Sequence, residues 1–176
     1  DKIRKSTVQA REVGGITQHI GASYFPATTL RQLSRPLLKQ LKGRITIPGL
    51  LVIDTPGHEA FVNLRKRGGA AADIAILVID ILRGFETQTY ECVDILKSRK
   101  TPFLVAANKV DRVPGWVSRP EQPLLTSYQS QDAYVRQDLD EHLYTIMGTF
   151  SSLGLRADRY DRITDFTRTV AIVPLS

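Results

Sequence analysis

Two apolar runs in this chain stop at polar loops of defined spacing, and that pairing limits its possible folds more than any other feature. Leu51-Val-Ile runs into Asp54-Thr55-Pro56-Gly57-His58, and Thr101-Pro-Phe-Leu-Val-Ala-Ala runs into Asn108-Lys109-Val110-Asp111. Short apolar runs bounded by turn residues read as strands. Helix-like segments separate them, so the order of elements predicts an α/β fold with a mostly parallel sheet. In such a sheet, ligands bind beyond the carboxyl ends of the strands, and both motifs sit there.

The residue types suit one ligand class. Guanine offers N1–H and an exocyclic amino group on one edge, and a single carboxylate accepts both. Asp111 has the shape for that contact. Adenine lacks the donor pair and would leave a buried carboxylate unpaired, which is how such sites discriminate. Asn108 can bond the O6/N7 side or tie neighbouring loops, and the stem of Lys109 can cover the base face. Asp54 ends its strand where a carboxylate reaches a Mg²⁺ shell, directly or through water. Gly57 lets a backbone N–H approach a γ-phosphate. His58 follows it and could orient or polarise the attacking water; equally, it stands at the start of the next expected helix, where it would serve as a cap. Taken singly, Asp-Thr-Pro-Gly is a good β-turn and Asn-Lys-x-Asp a common polar loop. Together and in this order they point to a guanine-nucleotide switch.

The string Gly14-Gly-Ile16-Thr17-Gln-His-Ile-Gly21 precedes the Asp54 motif. A threonine in a glycine-flanked loop can give its hydroxyl to Mg²⁺ and its N–H to a γ-phosphate, ordering with the triphosphate and relaxing without it. By itself it is equally an ordinary glycine loop.

Arg11-Glu-Val-Gly-Gly-Ile-Thr-Gln-His-Ile-Gly21, with Gly49-Leu-Leu-Val-Ile-Asp-Thr-Pro-Gly-His-Glu-Ala-Phe61, closely resembles the GTPase domain of translation initiation factor five-B, the archaeal and eukaryotic relative of bacterial initiation factor two. Arg65-Lys-Arg-Gly-Gly-Ala70 and the Asn108 motif fit the same family, and the resemblance covers nearly the whole chain. The Gly-Gly-Ile-Thr-Gln-His-Ile-Gly string is the family-specific part. It argues against elongation factors and Ras-like switches.

The resemblance implies a P-loop NTPase-type three-layer sandwich over residues 1–176, with switch I at about 10–21, switch II at about 54–69 and a helical insertion at about 112–169. It makes Thr17 the switch I threonine, Ile16 part of an apolar gate, and His58 the catalytic histidine. Thr17 and Asp54 would hold Mg²⁺. Thr17, Asp54, Gly57, Asn108, Lys109, Asp111 and Ser176 would bind GTP or GDP, with Ser176 opening a Ser-Ala-Lys base loop after the strand Val170-Ala-Ile-Val-Pro174. The implied activity is GTP hydrolysis on the ribosome that drives factor release after subunit joining. The implied partners are large-subunit RNA and, through domains not in this chain, initiator tRNA; the implied location is the cytoplasm.

The chain departs from the family at one point. Gly-x-x-x-x-Gly-Lys-Thr, the phosphate-cradling loop, does not occur in it. The expectation is a chain that begins inside the first helix and stops inside the last base loop. Two other readings stay open here. One is a non-catalytic ribosome-binding fragment unable to hold nucleotide, and the other is a different translational GTPase.

Composition adds bounds. At 176 residues and 42% hydrophobic, the chain suits one globular domain. No apolar run approaches a membrane span: Ile74-Ala-Ile-Leu-Val-Ile79 stops at Asp80. One cysteine, Cys92, excludes an internal disulfide and a cysteine metal site, and His19, His58 and His142 lack metal-ligand spacing. Net charge is +6, and residues 1–44 carry nine Lys/Arg against two acids. That suits a surface near phosphates or RNA, or simply a solvated basic face.

Periodicity predicts the remaining elements. A helix tail is expected over 1–9, strands over 20–26, 50–54, 74–79, 102–107 and 170–173, and helices over 28–42 (kinked or split at Pro36), 59–68 and 86–99. The run 74–79 is apolar throughout and predicts a strand covered on both faces. Thr89, Cys92, Val93 and Leu96 share one face of the 86–99 helix. After an irregular stretch marked by Pro114, Pro120 and Pro123, a helix is expected from Asp132 to Leu153, with Val135, Leu139, Leu143, Ile146, Met147 and Phe150 in one stripe and Gly154 as its stop. Trp116 and Tyr128 are expected to pack over it.

Overall fold

The computed structural model describes residues 21–34, 45–55 and 72–176. The expected helices at 1–9 and 59–68 and most of switch I lie outside those residues. The chain divides into two compact units, Asp1–Ala72 and Asp73–Ser176.

In the first unit, strand β1 (Gly21–Pro26) is followed by helix α1 (Ala27–Leu33) and strand β2 (Gly49–Asp54). β1 and β2 pair antiparallel, with Gly21 opposite Asp54 and Pro26 opposite Gly49. A mostly parallel sheet leaves the direction of this particular pair open, and it is antiparallel. Alternation of element types gives the order of strands, but not the direction in which two of them meet. Gly49 is required by the closeness of that approach: a Cβ there would stand 2.6 Å from the Phe25 carbonyl oxygen and from the Tyr24 hydroxyl. The described part of the 28–42 helix ends at Leu33, where the Ser34 N–H donates to the Leu30 carbonyl at 2.9 Å. It stops short of Pro36, before which helical backbone is disfavoured.

The second unit is built on a four-stranded sheet in the order β3-β4-β6-β5. Its strands are β3 (Ala75–Asp80), β4 (Phe103–Asn108), β5 (Ala157–Arg159) and β6 (Val170–Pro174). Every pairing in it is parallel. Helix α2 (Thr87–Arg99) connects β3 to β4. The Glu86 N–H donates to Thr89 Oγ1 at 3.3 Å at its start, and Lys100, at φ 56, closes its end. Thr89, Val93 and Leu96 are buried on the expected face, with Cys92 half-buried beside them.

The segment between β4 and β5 carries a 3₁₀ turn (Val110–Arg112), helix α3 (Leu124–Gln129) and the long helix α4 (Ala133–Ser152). α4 buries Val135, Leu139, Leu143, Ile146 and Phe150, while Met147, Trp116 and Tyr128 pack partly buried against the same core. Gly154, at φ 75, ends the helix. Its N–H reaches the Ser151 carbonyl and the Leu155 N–H reaches that of Phe150, both at 3.0 Å. Those side chains meet Leu77, Ile79, Val105, Ala107 and Ile172 of the sheet to form one core.

Phe150 is fully buried, with its ring edge-on to Phe85 at 4.8 Å between centroids and tilted against Phe103 at 6.1 Å. Phe150→Ala is expected to cost about 3–5 kcal/mol, the range for emptying a buried aromatic site. Hydrogen exchange of the α4 and β4 amides in the full-length protein reads this out. Unchanged protection there would show that the ring is not a core element.

Two expectations are corrected. Among the described residues β3 is not covered on both faces: Leu77 and Ile79 are buried, but Ile74, Ile76 and Val78 are 55%, 61% and 60% exposed. It lies at the edge of the sheet among the described strands. A continuous apolar run does not reveal which face has a neighbour. β5 was not expected at all. Ala-Asp-Arg has no strand pattern, and it is a strand because it pairs with β6, Ala157 opposite Val170.

β5 also brings a buried charge. Arg159 is 8% exposed. Its Nε and Nη2 donate to the two carboxylate oxygens of Asp161 at 2.6 and 3.0 Å, and its Nη1 reaches Asp140 of α4 at 3.4 Å. Its guanidinium lies 4.8 Å from the Tyr128 ring centroid, and the Tyr128 hydroxyl donates to Asp140 at 2.7 Å. Arg159 holds the Asp161 carboxyl below the usual carboxylate range, against the opposing effect of burial. One guanidinium thus ties β5, α3 and α4 together. Among the described residues, no helix is long and apolar enough to cross a membrane.

Candidate guanine-nucleotide site

The carboxyl ends of β3, β4 and β6 lie side by side. Asp80, the last residue of β3, stands opposite Asn108, the last of β4, and Ala107 stands opposite Pro174 of β6. Parallel register therefore gathers the loops that follow these strands at one edge of the sheet.

Backbone bonds stitch the loops together. The Ile81 N–H donates to the Asn108 carbonyl at 2.9 Å. The Leu175 N–H donates to Ala107 at 2.9 Å, and the Val110 N–H returns to Leu175 at 3.2 Å. Val110 is fully buried in the core and anchors the turn from below. Asn108 is half-buried, and its Oδ1 accepts the Lys109 N–H at 2.8 Å. This contact lies within its own loop. Lys109 takes the left-handed conformation, φ 68 and ψ 35. The chain then turns through the 3₁₀ segment that presents Asp111 at the surface.

The Ser176 hydroxyl donates to Asp111 Oδ1 at 2.7 Å. A carboxylate oxygen accepts more than one bond, so both oxygens of Asp111 keep capacity for the paired donors of a guanine edge. Ser176 thus holds the Asp111 carboxylate from 65 residues away.

Lys109 has a partner at its ammonium end. Its Nζ donates to Asp80 Oδ2 at 2.8 Å. The expectation had assigned Asp80 no part beyond ending its strand. A signal was present: Asp80 ends an apolar run just as Asp54 and Asn108 do.

Asp54 is the last residue of β2 and is exposed. Thr17, Ile16, Gly57 and His58 lie outside the described residues. The described residues contain no group of three or more His, Cys, Asp or Glu able to hold a metal by itself. One exposed carboxylate at a strand end suits Mg²⁺, which is typically held by one or two carboxylates, water and substrate phosphates rather than by a protein cage.

Residues 2–174 match the elongation factor Tu GTP binding domain. The chain belongs to that family. Over its 176 residues this GTP-binding domain is 60% identical to a probable translation initiation factor IF-2 of Methanopyrus kandleri, covering 100% of the chain and 29% of that protein. It is 56% identical to the probable IF-2 of Ignicoccus hospitalis, with the same two coverages. Among solved structures it is similar to GDP-bound aIF5B from Aeropyrum pernix, with 53% identity, a TM-score of 0.81, and 99% of this chain and 29% of that one covered. The α/β fold of this domain, with its parallel four-stranded sheet, is of the P-loop NTPase type. The domain spans less than a third of the length of these relatives.

Proposed function

We propose that this chain is the GTPase domain of a translation initiation factor of the archaeal IF-2 type. In this reading it binds GTP and GDP with Mg²⁺ and hydrolyses GTP when bound to the ribosome. The observation that carries the reading is the base loop. Asp111 is held by Ser176 beside Asn108 and Lys109, where three parallel strands end together. The similarity to GDP-bound aIF5B supports it.

The division of labour follows from phosphoryl-transfer chemistry, in which positioning and charge stabilisation do most of the catalysis. Bound Mg²⁺ would neutralise charge on the phosphate oxygens. Asp54 would reach its shell and Thr17 would add a hydroxyl. The Gly57 N–H would meet the γ-phosphate, and His58 would hold the attacking water, with Ile16 part of the apolar wall beside it. Hydrolysis relaxes the loops that the γ-phosphate had ordered, and that change would release the factor after the ribosomal subunits join. Large-subunit RNA is the partner at this domain; initiator tRNA would be held by other parts of the protein.

Calorimetry on the full-length protein with Mg²⁺ tests the binding half. GDP is expected to bind about 10⁴-fold tighter than ADP, the ratio for a site whose buried acceptors go unpaired with the wrong ligand. Equal affinity for the two would end the reading. Phosphate release from GTP, with and without ribosomes, tests the catalytic half.

A further inference from the structure

Asp80 sits outside every role assigned above. It is largely buried, with its side chain 14% exposed, at the end of a strand whose inner face is core. Its carboxylate does two things at once. Oδ1 accepts the Leu82 N–H at 3.1 Å, and Oδ2 accepts Lys109 Nζ at 2.8 Å. Its carbonyl also accepts the N–H groups of Arg83 and Gly84, at 3.2 and 2.8 Å. Asp80 is thus built into the rigid turn after β3 and reaches across to the loop after β4.

Its partner there is an unusual residue. Lys109 is one of two non-glycine residues among those described with a positive φ, and it lies between Asn108 and Asp111. L-residues avoid that conformation unless their surroundings over-determine it. Three contacts hold it here: the Asn108 side chain on its N–H, the buried Val110 after it, and Asp80 on its ammonium. Burial alone would raise the Asp80 carboxyl, but the Lys109 and Leu82 bonds and the lysine charge bring it below its ordinary value. The carboxylate is therefore charged when it meets the ammonium.

We propose that Asp80 is a positioning residue for guanine recognition: by clamping Lys109 it holds the left-handed turn that sets Asp111 against the base. The proposal rests on Asp111 reading guanine. It assigns Lys109 a second duty, as the anchor of its own loop.

The test is Asp80→Asn in the full-length protein. Asparagine keeps an oxygen for the Leu82 N–H but loses the charge that holds Lys109. Affinities for GDP and for IDP are measured by calorimetry. IDP lacks only the exocyclic amino group, so the ratio reads the Asp111 contact directly. The GDP-over-IDP ratio is expected to fall about fivefold, on the scale of one partly exposed charge-assisted contact. A merely structural role would lower both affinities or the melting temperature and leave the ratio alone. A wild-type ratio in Asp80→Asn overturns the clamp. Asp111→Asn, run in parallel, separates the two failures. If the wild-type protein itself shows no preference for GDP over IDP, the base reading fails and the clamp falls with it.

Discussion

Asp111→Asn in the full-length protein is expected to exchange guanine for xanthine as the preferred base. Xanthine carries a carbonyl where guanine carries its amino group. An amide at 111 can donate to that carbonyl, whereas a carboxylate repels it. With GDP, the amide opposes the ligand's two donors with one acceptor and a donor of its own. A mismatch of this kind costs about 10⁴-fold in selectivity where the site was built to hydrogen-bond the group. The Ser176 hydroxyl, 2.7 Å from Asp111 Oδ1, can still donate to an amide oxygen. Competition of XDP against GDP measures the switch. A mutant that still prefers GDP would remove Asp111 from base reading, whatever the family relationship.

The second large effect concerns the phosphate end. His58→Ala is expected to leave nucleotide affinity within a few-fold and to cut ribosome-stimulated hydrolysis by about 10²–10⁴-fold, the usual loss for one positioned catalytic group. His58 lies outside the described residues, so this expectation rests on its place directly after Gly57 in the Asp54 motif. A helix-capping histidine makes the opposite prediction. Its loss would cost about 1 kcal/mol of stability and little rate. Single-turnover hydrolysis on ribosomes, beside a melting curve, separates the two outcomes. Undiminished hydrolysis in the alanine variant would end the catalytic role.

Much of the fold is legible in the sequence. The stripe from Val135 to Phe150 specified α4 to within a residue at each end, because a helix's buried face is a local pattern with a period of 3.6. Gly154 marked its stop because φ 75 suits a residue without a Cβ. The placement of Asn108 at the end of β4 and of Asp111 in the turn after it follows from residue type and spacing, and both are local. The same reasoning went wrong where the decisive neighbour was distant. Ile74, Ile76 and Val78 read as buried on both faces, yet among the described residues they are exposed, because an apolar run says nothing about what lies opposite it.

By itself the sequence determined the family, the Asn-Lys-x-Asp spacing at the end of β4, the order of the strands other than β5, and the buried stripe of α4. All of these depend on residues close together along the chain. Tertiary structure alone decided that β1 and β2 run antiparallel, that Ala157–Arg159 is a strand, and that Arg159 is buried among Asp140, Asp161 and Tyr128. It also decided that Ser176 holds Asp111 and that Asp80 holds Lys109, contacts spanning 65 and 29 residues. The physical reason is register. In a parallel sheet, strands far apart in sequence end side by side, and the carboxyl edge assembles its site from loops that no local pattern connects.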